Sequence, residues 1–182
     1  RIKAAVVGVH AEDYYSDKTI EDADVLYTGH APLPADFWEQ HGKDMRSWKE
    51  GERTFYTVTG PTVHEWQMNE FVHQEDAQGI EAIVRKVDGD TATVEITRDY
   101  RSDRHSIWGI AARNREQNFA LNLLLDPEID FVSILGPAGT GKTLLTLAAG
   151  LMQTIESKRF VEIIMTRVTI PLGEDIGFLP GT

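Results

Sequence analysis

The chain has 182 residues, 41% of them hydrophobic, enough for one domain or two small ones with a packed core. It contains no cysteine, which excludes disulfides, thiol catalysis and cysteine zinc sites; no apolar run is long enough to span a bilayer, and no secretory signal is seen, so a cytoplasmic location is expected. The formal charge is −11, and residues 1–107 hold twelve Lys and Arg against twenty-one Asp and Glu, so any contact with nucleic acid must rest on a local site and not on bulk charge.

Residues 1–29 open on Arg1-Ile2-Lys3-Ala4-Ala5-Val6-Val7-Gly8-Val9, which reads as a short helix, and continue through an acidic turn-like stretch at Glu12, Asp13 and Asp17. Residues 30–52 hold Pro32, Pro34, Gly42 and Gly51 among charged residues and read as an irregular linker. Trp38 and Trp48 within it are expected to pack on a neighbouring surface. From residue 53 to residue 107 the pattern turns to β. Residues 54–59 are β-branched and aromatic, Phe71-Val72 is a shorter candidate, and Ile80, Ala82, Val84 and Val87 face residues 91–97 across Asp88-Gly89-Asp90, a hairpin signal. A small antiparallel β module is predicted, with a barrel as one form it can take. Its aromatics suit a core or a docking face better than a nucleic-acid platform, because the segment is acidic.

Residues 108–182 read as the beginning of a nucleotide-binding domain. An amphipathic helix over residues 113–125 stops at Asp126-Pro127, and residues 131–135 form a short apolar run suited to a buried parallel strand. Next comes Gly136-Pro137-Ala138-Gly139-Thr140-Gly141-Lys142-Thr143, a full match to G-x-x-x-x-G-K-[ST]. Its glycines let backbone N–H groups close on an anion without a Cβ in the way. The Lys142 side chain can reach the β- and γ-phosphates of a nucleotide, and the Thr143 hydroxyl can ligate Mg²⁺. A helix from Lys142 to about Glu156 follows, apolar round most of its circumference and so predicted to be buried. Gly150 inside it costs about 0.8–1 kcal/mol relative to Ala, which close packing against a strand would explain.

Residues 161–166 then read as a second strand, completing the βαβ unit that the motif requires. The predicted fold class is α/β: the start of a P-loop NTPase parallel sheet, preceded by a small antiparallel β module and an irregular N-terminal linker. Residues 136–143 are the predicted ligands of ATP or GTP, with Lys142 as the catalytic cation and Thr143 as the Mg²⁺ ligand. Such a sheet normally has about five strands, and with two in sight the chain reads as a piece of a longer protein. His10, His30, His41, His64, His73 and His105 show no metal-ligand spacing.

Further matches join the loop. Asn114 and Gln117 lie about twenty residues before it and resemble the glutamine motif of helicases, in which such a side chain reads the adenine edge. Asn114 reads better as support for the start of its helix. Met165-Thr166-Arg167, followed by residues 171–181 ending in Gly177-Phe178-Leu179-Pro180-Gly181, resembles the stretch after the second strand in PhoH-like ATPases. Residues 1–4, 11–14 and 26–29 are similar to the end of a PIN nuclease domain and its linker to a PhoH domain. The resemblance covers nearly the whole chain and is weakest between residues 31 and 107.

The resemblance implies a helicase-like ATPase fused to a metal-dependent RNA nuclease, acting on RNA as a ring-shaped homo-oligomer. It further implies that Lys142 and Thr143 hold the triphosphate and Mg²⁺, and that Gln117 contacts adenine. The segment after Arg167 would border a nucleic-acid or subunit interface. Val168 departs from the proline usual in the family. The PIN metal ligands would precede Arg1, and the acidic motif that orients water and Mg²⁺ would follow Thr182. Two other functions use the same loop: a small-molecule kinase, and a binding module that nucleotide orders without turnover.

Overall fold

Asp88-Gly89-Asp90 turns the chain back at the middle of a six-stranded sheet in the computed structural model, which describes residues 27–43, 45–76 and 79–167. Gly89 has φ 58°, the left-handed backbone that a tight hairpin favours and that glycine adopts freely. The strands are β1 (His30–Pro32), β2 (Arg46–Glu50), β3 (Arg53–Thr59), β4 (Phe71–His73), β5 (Glu81–Asp88) and β6 (Thr91–Ile96), in the order β1-β4-β5-β6-β3-β2. β1 runs parallel to β4, and every other pairing is antiparallel. β1 and β2 are the two edges of an open sheet, so no closed barrel forms among the described residues.

Period-two alternation sorts the strand residues onto two faces. Val58, Val72, Ala82, Val84, Ala92 and Val94 line one face and pack with Leu33, Phe37, Val63 and Trp66. Phe37 belongs to the short helix α1 (Phe37–His41). The opposite face presents Phe71 and Ile83, which pack with Phe119 and Leu123 of α2 (Arg115–Leu125).

Residues 30–52, read from composition as an irregular linker, enter this sheet and supply both edge strands and α1. Periodicity could not reveal β2, because all five of its residues are exposed; it is a strand because β3 offers it a free ladder. Both linker tryptophans find partners. Trp48 stacks on Phe55 at 5.3 Å, and Trp38 donates its indole N–H to Gln74 Oε1 at 2.9 Å.

From residue 108 on, the described residues contain α2, the glycine loop and α3 (Lys142–Leu151), which widens into a π-helical turn over Met152–Glu156. Thr154 Oγ1 donates to the Gly150 and Leu151 carbonyls and Gln153 Nε2 to the Ala149 carbonyl, local competition of the kind that loosens a helix ladder. Two predictions need correction. α3 buries one face only, through Leu145, Ala148 and Ala149, while Leu144 is 55% exposed. Residues 131–135 and 161–166 flank the loop and helix in the expected order, yet neither forms a ladder among the described residues. An apolar run records a tendency to be buried, and a strand also needs a neighbour to take up its N–H and C=O groups. Phe131 and Val161 are accordingly almost wholly exposed. Val132 and Ile134 are half-buried, and Ile163, though exposed, lies against Gly150 of α3.

Among the described residues no helix is long and apolar enough to cross a membrane. The readings placed on residues 1–26 and 168–182, including the Gly177–Gly181 signature, lie outside the described residues.

Candidate nucleotide site

The loop between residue 136 and α3 is curled round the ammonium group of Lys142. Nζ donates to the Gly136 and Pro137 carbonyls, each at 2.7 Å, and to Thr140 Oγ1 at 3.3 Å. Thr140 Oγ1 in turn donates to the Pro137 carbonyl at 3.0 Å, tightening the curl. Gly139 and Gly141 have φ 82° and 85°, which a residue with a Cβ would adopt only under strain. Among the described residues, none accepts a hydrogen bond from the backbone N–H of Gly139, Thr140, Gly141, Lys142 or Thr143. The helix ladder starts only with Leu145 N–H to the Gly141 carbonyl at 3.0 Å. Thr143 is exposed at the second position of α3. A row of free donors at a helix N-terminus is a potential well for an anion.

Gln117 reaches this loop from α2. Its Nε2 donates to the Thr140 carbonyl at 3.1 Å, and its Oε1 accepts from Arg113 N–H at 2.7 Å. The two partners, one acceptor and one donor, fix which way the side-chain amide points. A Cβ on Gly141 would stand 3.4 Å from Gln117 Nε2, so the contact is close as well as polar. Asn114 does not reach the loop. It is the N-cap of α2, its Oδ1 accepting from Gln117 N–H at 2.9 Å.

The other side of α2 is fastened to the sheet by residues that the sequence reading did not single out. The Glu81 carboxylate at the start of β5 accepts both arms of Arg101 at 2.9 and 3.0 Å, Arg115 Nε at 3.2 Å and Asn118 Nδ2 at 3.3 Å. Asn118, fully buried, also accepts from Tyr100 N–H at 2.8 Å. Near the end of α2, Arg85 bridges Glu95 at 2.6 Å and Asp126 at 2.5 Å, and Arg53 forks onto Glu95 with two bonds of 2.7 Å. Burial pushes the Glu95 carboxyl up, but the hydrogen bonds and charges of Arg53 and Arg85 outweigh it and hold the group below the usual carboxylate range. One signal in the sequence could have pointed here: Asn118 interrupts the apolar stripe of an amphipathic helix, and a polar residue on a buried face requires a partner.

Two clefts, each of about 600 Å³, lie on the sheet and contain no residue of the loop. The first is lined by Arg53, Arg85, Glu95 and Asp126, whose charges already satisfy one another. Free donors, not enclosed volume, mark the site, and these are on the loop. No cluster of three metal-ligating side chains occurs among the described residues.

Residues 109–182 match the family described as PhoH-like protein. Over 184 aligned residues, covering 100% of this chain, it is 36% identical to Protein PhoH2 of Bacillus subtilis and spans 39% of that protein. Protein PhoH2 of Thermobispora bispora is 33% identical over 183 residues, again 100% of this chain and 38% of the relative. A shorter match of 83 residues, 45% of this chain and 19% of the relative, is 41% identical to Protein PhoH2 of Mycolicibacterium smegmatis. The chain thus spans about two fifths of the length of the first two relatives. No solved structure matches. With its glycine loop and α3 inside the matched region, the chain belongs to the PhoH-like family.

Proposed function

We propose that residues 136–143 bind the triphosphate of ATP with Mg²⁺, and that the protein hydrolyses ATP in work on RNA. The observation that carries this reading is the row of N–H groups from Gly139 to Thr143, unpaired among the described residues and curled about the Lys142 ammonium at the head of α3. Donors in that arrangement favour an anion of high charge density. The ammonium has three hydrogens and spends them on two carbonyls and a hydroxyl, so an incoming phosphate oxygen would most easily replace the longest contact, to Thr140 Oγ1. The exposed Thr143 hydroxyl suits a hard cation that prefers oxygen ligands. Magnesium, when bound, supplies charge neutralisation of the phosphates. RNA as the target, a PIN-like segment over residues 1–29 and a ring-shaped homo-oligomer belong to the same proposal and rest on the sequence resemblance.

The test is calorimetric titration of the full-length protein with ATP and Mg²⁺, before and after Lys142→Ala. Loss of the cationic partner should weaken binding about a hundredfold or more. Unchanged affinity would refute the assignment of the loop. A second measurement follows the products. Free phosphate, released faster when single-stranded RNA is added, supports an RNA-coupled ATPase; transfer of phosphate to a small metabolite would make the protein a kinase instead.

A further inference from the structure

Gln117 was expected from the helicase resemblance to read the adenine edge, but its geometry gives it other work. Both polar atoms of its side chain are engaged within the protein, Oε1 by the Arg113 N–H and Nε2 by the Thr140 carbonyl. The peptide unit from Thr140 to Gly141 is planar and trans, so its C=O and N–H point in opposite directions. Drawing the Thr140 carbonyl towards α2 turns the Gly141 N–H away from α2. That N–H has no partner among the described residues. Nothing intrinsic to Gly141 would hold it so, because a glycine at φ 85° reorients at little cost.

From this we propose that Gln117 is a positioning residue for the phosphates: it clamps the Thr140–Gly141 peptide plane so that the Gly141 N–H faces the bound anion. The clamp is rigid at its other end. Arg113 and Asn114 lead directly into α2, and Asn114 caps the helix on the N–H of Gln117 itself. α2 is in turn held against the sheet by Arg115 and Asn118 on Glu81. A preoriented donor binds its acceptor without first losing the entropy of a mobile loop, and this is the gain the clamp provides. The proposal rests on the reading of residues 136–143 as a phosphate site.

A ligand without a base separates the two roles. Full-length wild type, Gln117→Ala and Gln117→Met (which keeps most of the bulk but none of the hydrogen bonds) are titrated with ATP and with inorganic tripolyphosphate. Positioning predicts that both variants bind both ligands roughly three- to tenfold more weakly, by the same factor for each ligand. Unfolding without ligand should remain a single transition. If affinity fell for ATP while tripolyphosphate bound as before, Gln117 would be a base reader and the proposal would be overturned. No change with either ligand would also overturn it. A wild type that binds neither ligand would sink the reading of the loop itself, and the clamp with it.

Discussion

Phe71 of β4 and Phe119 of α2 lie face to face, their ring centroids 4.1 Å apart and their planes 7° from parallel. Ile83, Leu123 and Ile129 surround the pair, so the sheet and the helix share one apolar seam. Phe119→Ala removes a side chain only 4% exposed. It should lower stability by about 3–5 kcal/mol, through lost transfer energy and the cavity left behind. Urea unfolding followed by tryptophan fluorescence measures this, and a loss below about 1 kcal/mol would mean that the seam is not a core.

The same seam should make stability depend on pH. His30 Nδ1 and His73 Nε2 are 3.2 Å apart, with Phe119 on one side. Burial pushes the His73 imidazole below its ordinary value, and the charges of Arg115 and His30 push it the same way, against a smaller pull from Glu75. A folded-state pKa below the unfolded one favours the neutral ring. Its contribution is complete above about pH 6.5 and is lost as pH falls from there towards the folded value, because the unfolded chain takes up a proton that the folded chain refuses. Urea midpoints measured in steps from pH 7.5 to pH 5 should therefore fall, and His73→Gln should flatten the slope. Glu95 titrates lower: its depressed carboxyl contributes above about pH 4.5 and loses that contribution in more acid solution.

Gly150 offers a test of packing against helix propensity. A Cβ there would stand 3.1 Å from Ile163 Cδ1, close enough that the isoleucine must shift. In the natural background the gain in propensity from Gly150→Ala is offset by this contact, and thermal melting should move little. In an Ile163→Val background the obstructing methyl group is gone, and the same substitution should add about 0.8–1 kcal/mol. If the two backgrounds responded identically, the contact would be without energetic weight.

Asn114 should behave as a cap and nothing more. Asn114→Ala is expected to cost about 1 kcal/mol, whereas Asn114→Asp keeps the side-chain acceptor and should be close to neutral. Comparing ATP affinity for Asn114→Asp and wild type checks whether the residue has any hand in reading the base. On the geometry here, the two affinities agree.

What could be read from the sequence was whatever depends on near neighbours. The cap at Asn114, the hairpin at Gly89 and the glycine loop are all written within a few residues of themselves. β1 and β2 escaped notice because three- and five-residue edge strands carry no periodicity of their own and exist by virtue of β4 and β3. Residues 131–135 and 161–166 erred in the other direction: they are apolar enough to be strands, but no described strand pairs with them. Gln117 was singled out as a reader of adenine, whereas its bond to Thr140 joins residues twenty-three apart and could be seen only in three dimensions.

α2 is a party wall. One side of it holds the six-stranded sheet through Phe119, Arg115 and Asn118, and from the same helix Gln117 bonds to the glycine loop. Damage to the masonry on the sheet side will therefore be felt in the room next door. If the loop binds ATP as proposed, a lesion at Phe71 or Glu81, far from the loop, should also weaken nucleotide binding, and a titration with ATP would then double as an assay of whether the sheet is intact.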